Sequence, residues 1–344
     1  VAKRISISEY WLQGGSAPLI DVRSPGEFEQ GHIPGAVNIP LFDNAERVEI
    51  GTLYKQAGRE AAVMRGLELT GPKMAGFVRE ARKLASPRIV AHCWRGGMRS
   101  ESMAWLWQTA GLEVEVLEGG YKAYRQQVLS ELAKPLRLRI LGGKTGSGKT
   151  AVLREMAAMG GQVIDLEALA HHKGSAFGSL GQQPQPSPEQ FENDLHHALR
   201  RLDPGQPIWA EDESHSIGRV YIPLPFWRQM LEAPVLAIET PLEDRIAHLV
   251  EEYGAFPREG LQQSLDRIQK RLGGQAHTLA SDALNRGDLA EVARISLAYY
   301  DKTYQYALQR RSENQVQWLR FDAQDPSAIA RFLLHYTAEP HEQR

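Results

Sequence analysis

Residues 135–150 read PLRLRILGGKTGSGKT. A proline, a run of residues suited to a strand, a glycine-rich loop and a helix opening near Lys149 follow one another without a gap. From Gly143 to Thr150 the loop fits the pattern G-x-x-x-x-G-K-[ST]. In that setting the glycines let backbone amides wrap a diphosphate, Lys149 reaches its oxygens, and Thr150 holds Mg²⁺. Gly143, Gly146, Ser147, Gly148, Lys149 and Thr150 are therefore the expected diphosphate-binding residues. An acidic partner for Mg²⁺ is expected at the end of a neighbouring strand. Asp165 follows "QVI", and Glu211 and Asp212 follow "IWA"; each is also suited to a cap or a surface position. The loop reads phosphates only, so ATP and any other diphosphate ester satisfy it equally.

Upstream, the chain repeats a strand–helix rhythm. "PLIDVRS", "GAVNIPL", "PRIVAHC" and "VEVL" read as short strands, and "MRSESMAWLWQTAG" as a helix ending at Gly111. This alternation predicts an α/β fold with a parallel sheet. The rhythm restarts after residue 134. Two domains are expected, 1–134 and 135–344, the second turning helical from about 242. Hydrophobic residues make up 42% of the 344 and charged residues 24%, enough apolar content for real cores. The net charge of −2 excludes a wholesale nucleic-acid coat but leaves room for local basic patches. No run of 18 apolar residues predicts a membrane span, and the first residues lack the pattern of a secretory signal. With a single cysteine the chain makes no internal disulfide. A cytoplasmic location without membrane attachment is expected.

That cysteine, Cys93, stands at the end of "PRIVAHC" and opens the loop "CWRGGMR". Two glycines let successive N–H groups turn inward as an anion nest. The loop amides with Arg95 and Arg99 would stabilise a thiolate, or a terminal sulfide or selenide carried on it. Trp94, Gly96, Gly97 and Met98 complete the expected cradle, and Cys93, Arg95 and Arg99 are the expected catalytic residues. The segments "LIDVRSPGEFEQGHIPGAVNIPL" and "HCWRGGMRS" resemble a rhodanese domain. The resemblance implies that Cys93 is the carrier atom's anchor. Asp21, Arg23 and His32 are read as structural.

A rhodanese-like parallel-sheet domain followed by a P-loop NTPase-like α/β domain is an uncommon order. "ERVEIGTLYKQAGREAAVMRGLEL", "DLEALAHHKGSAFGSLG", "WAEDESHSIGRVYIP" and "YYDKTY" accompany it. Together they resemble the tRNA 2-selenouridine synthase family over nearly the whole chain. His172-Lys173 departs from the arginine-like pair the resemblance leads one to expect. The resemblance implies a transferase acting on wobble 2-thiouridine in tRNA. Its sulfur is alkylated with geranyl from geranyl diphosphate, and selenium from selenophosphate then replaces the S-geranyl group by way of Cys93. Mg²⁺ is expected, ATP is not required, and the selenophosphate-producing enzyme is a further expected partner. A geranyl chain wants an apolar slot, for which Phe177, Trp209, Phe226 and Trp227 lie near the right motifs, with Arg219 for phosphate. For tRNA, Lys270, Arg271, Arg310 and Arg311 cluster with Tyr299 and Tyr300 in a helical tail where basic residues outnumber acidic ones. Two other readings use the same motifs: an ATP-dependent sulfurtransferase working through a Cys93 persulfide, and a non-catalytic rhodanese module with a nucleotide switch.

Overall fold

The computed structural model describes residues 2–309, 311–312, 315–321 and 325–336. The chain divides into two compact units between Glu131 and Leu132, with Glu192–Asp194 counted in the first.

The first unit is built on a five-stranded sheet. Its strands are β1 (Lys3–Ile5), β2 (Leu19–Asp21), β3 (Val37–Asn38), β4 (Arg88–His92) and β5 (Glu113–Leu117). Their order is β1-β5-β4-β2-β3 and every pairing is parallel. β4 is the middle strand, and Ile89, Val90 and Ala91 are buried completely. A strand covered on both faces reads as a continuous apolar run. The core gathers Ile20, Val22, Ile89, Ala91, Met103, Trp107 and Val116. Trp107 donates its indole N–H to the Phe77 carbonyl at 3.0 Å, so the largest buried ring carries no unpaired polar atom. The segment around 46–69 forms one long helix, Asn44–Thr70, started by an Asp43–Glu46 capping box and bent at Gly58. Gly58 has φ 87°, a conformation that favours glycine.

In the second unit a five-stranded sheet is formed by β6 (Leu138–Gly143), β7 (Gln162–Ile164), β8 (Ile208–Glu211), β11 (Val235–Glu239) and β12 (Val316–Arg320). A separate two-stranded hairpin holds β9 (Ser216–Ile217) and β10 (Val220–Tyr221). The large sheet runs β12-β11-β6-β8-β7, again entirely parallel. β6 is central, and the helix Lys149–Ala158 follows its loop. The tail is not helical throughout from 242. After four helices between Leu242 and Leu308, the segment "VQWLR" returns as β12 beside β11. Its side chains are all half-exposed or exposed, as suits an edge strand, and give a weaker signal than a buried run. Among the described residues no helix is long and apolar enough to cross a membrane.

Candidate functional site

Each unit offers one site, in both cases at the C-terminal end of the middle strand, where open parallel sheets bind ligands.

In the first unit β4 delivers Cys93, which is 4% exposed. Its Sγ accepts the Gly97 amide at 3.4 Å and the Ser100 hydroxyl at 3.3 Å. Gly96, at φ 64°, turns the loop; a Cβ there would lie 2.5 Å from the Leu117 carbonyl oxygen. Gly120, at φ 58°, fits the same loop from the other side, and its Cβ would meet the Cys93 oxygen at 2.3 Å. The Tyr121 and Lys122 amides donate to the carbonyls of Cys93 and Trp94, each at 2.9 Å. Glycine on both sides is what lets two backbones approach this closely. Burial pushes the thiol pKa up, but Ser100, the Ser100 and Arg95 amides and the Arg99 charge outweigh it and hold the thiol below its ordinary range.

Arg99 is not a free cation: it forms an ion pair with Glu27 at 2.8 Å, and Glu27 also takes Arg47 at 3.4 Å. Arg95 is exposed and pairs with no carboxylate among the described residues. Trp94 and Met98 present large exposed side chains beside the loop. Gly97 N–H points at the sulfur, whereas Trp94 and Met98 serve as walls. A cleft of about 900 Å³ opens in front of Cys93, between this loop and the bent helix Asn44–Thr70. Asp21 and Arg23 are buried beneath it, Arg23 Nη2 donating to Asp21 at 2.6 Å and to the Gly31 carbonyl at 2.6 Å. Tyr121 covers the guanidinium at 3.8 Å. His32 stacks on Phe28 with ring centroids 3.9 Å apart. These three hold the sheet end together.

In the second unit Gly143, Gly146, Ser147, Gly148, Lys149 and Thr150 lie on one loop that opens the helix Lys149–Ala158. Gly146 has φ 81°, and a Cβ there would press on Arg245 and Leu249 of the helix Leu242–Tyr253 at 3.0–3.2 Å. Lys149 Nζ donates to the Gly143 carbonyl at 2.8 Å. The motif "YYDKTY" braces this loop: Tyr304 Oη accepts the Gly143 amide at 2.8 Å, and Asp301 holds the buried Arg245 at 2.8 and 3.0 Å.

The acids differ from those singled out in the sequence. Asp212 is tied to Arg311 at 2.7 Å and faces away from a metal role. Asp165 caps a helix by accepting the Ala168 amide at 2.7 Å. Glu211 is buried; one oxygen accepts the Leu166 amide at 3.1 Å and the other has no partner. Burial, and then the charges of Asp165 and Glu167, raise its pKa well above the carboxylate range. Beside Thr150 stands Glu167, which accepts its hydroxyl at 3.3 Å. Glu213 lies next to Glu167, and burial followed by the Glu167 charge raises its pKa strongly. Glu167 itself is raised chiefly by burial, against the pull of Lys149. Among the described residues no group of three or more His, Cys, Asp or Glu side chains is arranged to enclose a metal. A Thr150–Glu167 pair still suits Mg²⁺, which takes one or two protein ligands and fills the rest with phosphate and water.

An apolar slot begins at the loop. Thr145 and Ser175 stand at one end, and Phe177, Leu249, Leu261, Val292, Leu297 and Tyr300 line it. It measures about 50 Å³, room for roughly four waters, so a longer chain enters only as the walls part. Phe177 is one of the slot's wall residues. Trp209 is not: it sits on β8 among Val152, Leu153 and Leu333, under Arg139, because a β8 side chain points into the sheet's own core. Phe226 is buried, Trp227 packs on His215, and neither lines the slot. Arg219 lies on the exposed turn between β9 and β10.

The expected tRNA residues separate. Lys270 and Arg271 are exposed in the last turn of the helix Arg258–Leu272. Arg311 is not a surface cation, being held by Asp212 and the Met230 carbonyl at 2.9 Å. Tyr300 lines the slot and accepts the Ala176 amide at 2.9 Å, and Tyr299 packs on it at 5.1 Å. Both serve packing at helical spacing. Arg310 lies outside the described residues. Glu167, Ser100 and Gly120 are residues the sequence left unmarked; Glu167 carried a faint signal, an acid three places past the end of β7.

Comparison with known proteins agrees with both halves. Residues 9–127 match the rhodanese-like domain model, and residues 136–335 match the model of the tRNA 2-selenouridine synthase AAA domain. The tRNA 2-selenouridine synthase of Shewanella sediminis is 37% identical across 87% of this chain and 90% of its own length. That of Bordetella petrii is 36% identical across 92% and 95%, and that of Bdellovibrio bacteriovorus 38% across 86% and 89%. With a nucleophile loop and a phosphate loop each set on its own parallel sheet, and relatives matching across both, this chain belongs to the tRNA 2-selenouridine synthase family.

Proposed function

We propose that the chain exchanges sulfur for selenium at 2-thiouridine of tRNA in two steps, one in each unit. In the P-loop unit the 2-thio sulfur forms a bond to C1 of geranyl diphosphate as the C1–O bond breaks, and diphosphate leaves. The loop amides and Lys149 receive the developing negative charge. Lys149 moves from the Gly143 carbonyl to the diphosphate, a short exchange of partners. Thr150 and Glu167 would hold Mg²⁺, which would supply Lewis-acid neutralisation of the leaving group. Phe177, Leu249 and Leu297 receive the ten-carbon chain.

In the rhodanese unit the Cys93 thiolate forms a bond to C2 as the C2–S bond breaks. The geranyl thiolate leaves and takes up a proton, and no electrons change hands at C2. Alkylation is what makes that departure easy, since a thiolate leaves more readily than sulfide. The selenium of selenophosphate then bonds to C2 as the C2–Sγ bond breaks and returns the Cys93 thiolate. Water cleaves the Se–P bond and releases phosphate, so the exchange needs no oxidant and no second thiol. Gly97 N–H and the Ser100 hydroxyl, which donate to the sulfur, also suit an incoming selenium anion.

The observation that carries the reading is the slot that shares Thr145 with the phosphate loop. Its lining is aliphatic and aromatic apart from a few hydroxyls, which suits a prenyl chain and gives a nucleotide base few partners. The test is to incubate the protein with 2-thiouridine tRNA, geranyl diphosphate and Mg²⁺, without ATP or a selenium donor, and to analyse nucleosides by mass spectrometry. S-geranyl-2-thiouridine is expected. Product that appears only after ATP is added would move the account to an ATP-dependent sulfurtransferase. For tRNA contact, Lys270→Glu with Arg271→Glu is expected to weaken binding in a salt-sensitive manner; unchanged affinity at low salt removes that surface.

A further inference from the structure

After β8 the chain of the P-loop unit folds back as the hairpin β9–β10. The Ile222 amide donates to the His215 carbonyl at 2.9 Å and closes its base, and Tyr221 lies opposite Ser216. Gly218, at φ 59°, makes the turn. Gln185 clamps that turn from outside. Its Nε2 donates to the Ile217 carbonyl at 3.0 Å, and its Oε1 accepts the Arg219 amide at 2.8 Å. Three rings form a row on this fixed frame. Trp227, on the helix Leu224–Glu232, meets His215 at 4.8 Å between centroids, and His215 meets Tyr221 at 5.4 Å. Trp227 and His215 are half-buried, whereas Tyr221 at the end of the row is 57% exposed. Leu224, on the same helix face as Trp227 and Arg228, is 51% exposed. Arg219 at the turn and Arg228 beside Trp227 are exposed, and neither meets a carboxylate among the described residues. Glu213, two residues before His215, bonds to Glu167, which accepts the Thr150 hydroxyl. The row of rings therefore starts at the rim of the phosphate loop.

We propose that this hairpin is the platform on which the P-loop unit stacks an unpaired base of the tRNA anticodon loop, Tyr221 taking the base and Arg219 and Arg228 the phosphates beside it. An unpaired base offers a flat apolar face tied to a charged backbone, and proteins hold such bases by aromatic stacking with cations nearby. An acidic protein surface would match the arginines and leave the rings in water; an apolar peptide would do the reverse. A double helix stacks its bases on one another and has no free face for Tyr221. The inference rests on the reading above that tRNA is the substrate, and it is independent of which group is transferred to the base.

The test titrates the full chain with a fluorescent anticodon stem-loop carrying 2-thiouridine, and with a blunt RNA duplex of the same length, at several salt concentrations. Tyr221→Ala is expected to weaken stem-loop binding about tenfold, the scale of losing one stacked base, and to leave duplex binding unchanged. Tyr221→Phe keeps the ring and is expected to bind as the native protein does. Arg219→Ala with Arg228→Ala is expected to flatten the slope of log K against log salt by about 1.4, the loss of two phosphate contacts on a single strand. With 5-iodouridine placed in the loop, irradiation of the native complex is expected to cross-link the RNA to the peptide that carries Tyr221. Unchanged stem-loop affinity in Tyr221→Ala would overturn the inference. So would an equal loss on the duplex, a Tyr221→Phe variant as weak as Tyr221→Ala, or a cross-link confined to other peptides. A native protein that binds no stem-loop would instead remove the tRNA reading, and the inference with it. Tyr221, Arg219 and Arg228 are exposed, and circular dichroism checks that the variants are folded.

Discussion

After β4 the chain turns through Trp94 and Gly97 and places a sulfur at the end of the sheet; after β6 it turns through Gly146 and Gly148 and places an ammonium there. Both strands are the middle of five, and both loops have glycines at positive φ. They differ in which charge the protein itself contributes. Around Cys93 the donors converge on an atom of the chain, so an anion is stabilised on the protein. Around Lys149 no donors converge on an acidic atom of the chain; the lysine rests on the Gly143 carbonyl and Glu167 stands beside Thr150. One sheet topology therefore carries two differently charged loops, and under the proposed function these serve as a nucleophile site and a leaving-group site.

Removing each charged partner separates the two halves. Cys93→Ala is expected to lower 2-selenouridine formation by about 1000-fold or more, the scale of losing a nucleophile, while alkylation persists. Lys149→Ala is expected to lower alkylation by about 100-fold and to leave selenium transfer to chemically alkylated RNA unchanged. Assaying both products in both variants shows whether the division holds. A subtler probe is Tyr304→Phe, which strands the Gly143 amide. A loss of about 1–2 kcal/mol of stability is expected in denaturant unfolding, together with slower alkylation. The smallest effect concerns acidity. Cys93 titrates below an ordinary thiol, so its labelling rate is expected to persist as pH falls through the ordinary thiol range and to fade only at the lower, folded-state pKa. Ser100→Ala is expected to move that midpoint upward, read from labelling against pH.

Sequence carried much of this and missed what depends on three-dimensional neighbours. "PRIVAHC" and "RILGGKTGSGKT" are local signals: an apolar run followed by a turn that needs glycine, readable without knowing what packs nearby. The edge strand β12 has no buried residue to mark a core face and lies in a tail of helices. Acid roles were the least legible. Glu211, Asp212 and Glu213 are adjacent, yet one is buried against the Leu166 amide, one is claimed by Arg311 and one pairs with Glu167. Strand alternation points neighbours in opposite directions, and the partner 99 residues away that claims Asp212 leaves no mark in its vicinity. The tyrosines of "YYDKTY" pattern as a possible RNA surface; Tyr304 instead braces the phosphate loop and Tyr300 holds the Ala176 amide, because the helix Leu289–Leu308 turns that face inward.

The most direct test of the divided reaction supplies Cys93→Ala protein with 2-thiouridine tRNA, geranyl diphosphate, Mg²⁺ and selenophosphate, and follows nucleosides over time. The account predicts that S-geranyl-2-thiouridine accumulates and 2-selenouridine does not form. Formation of 2-selenouridine at the native rate, or absence of any S-geranyl product, would contradict it.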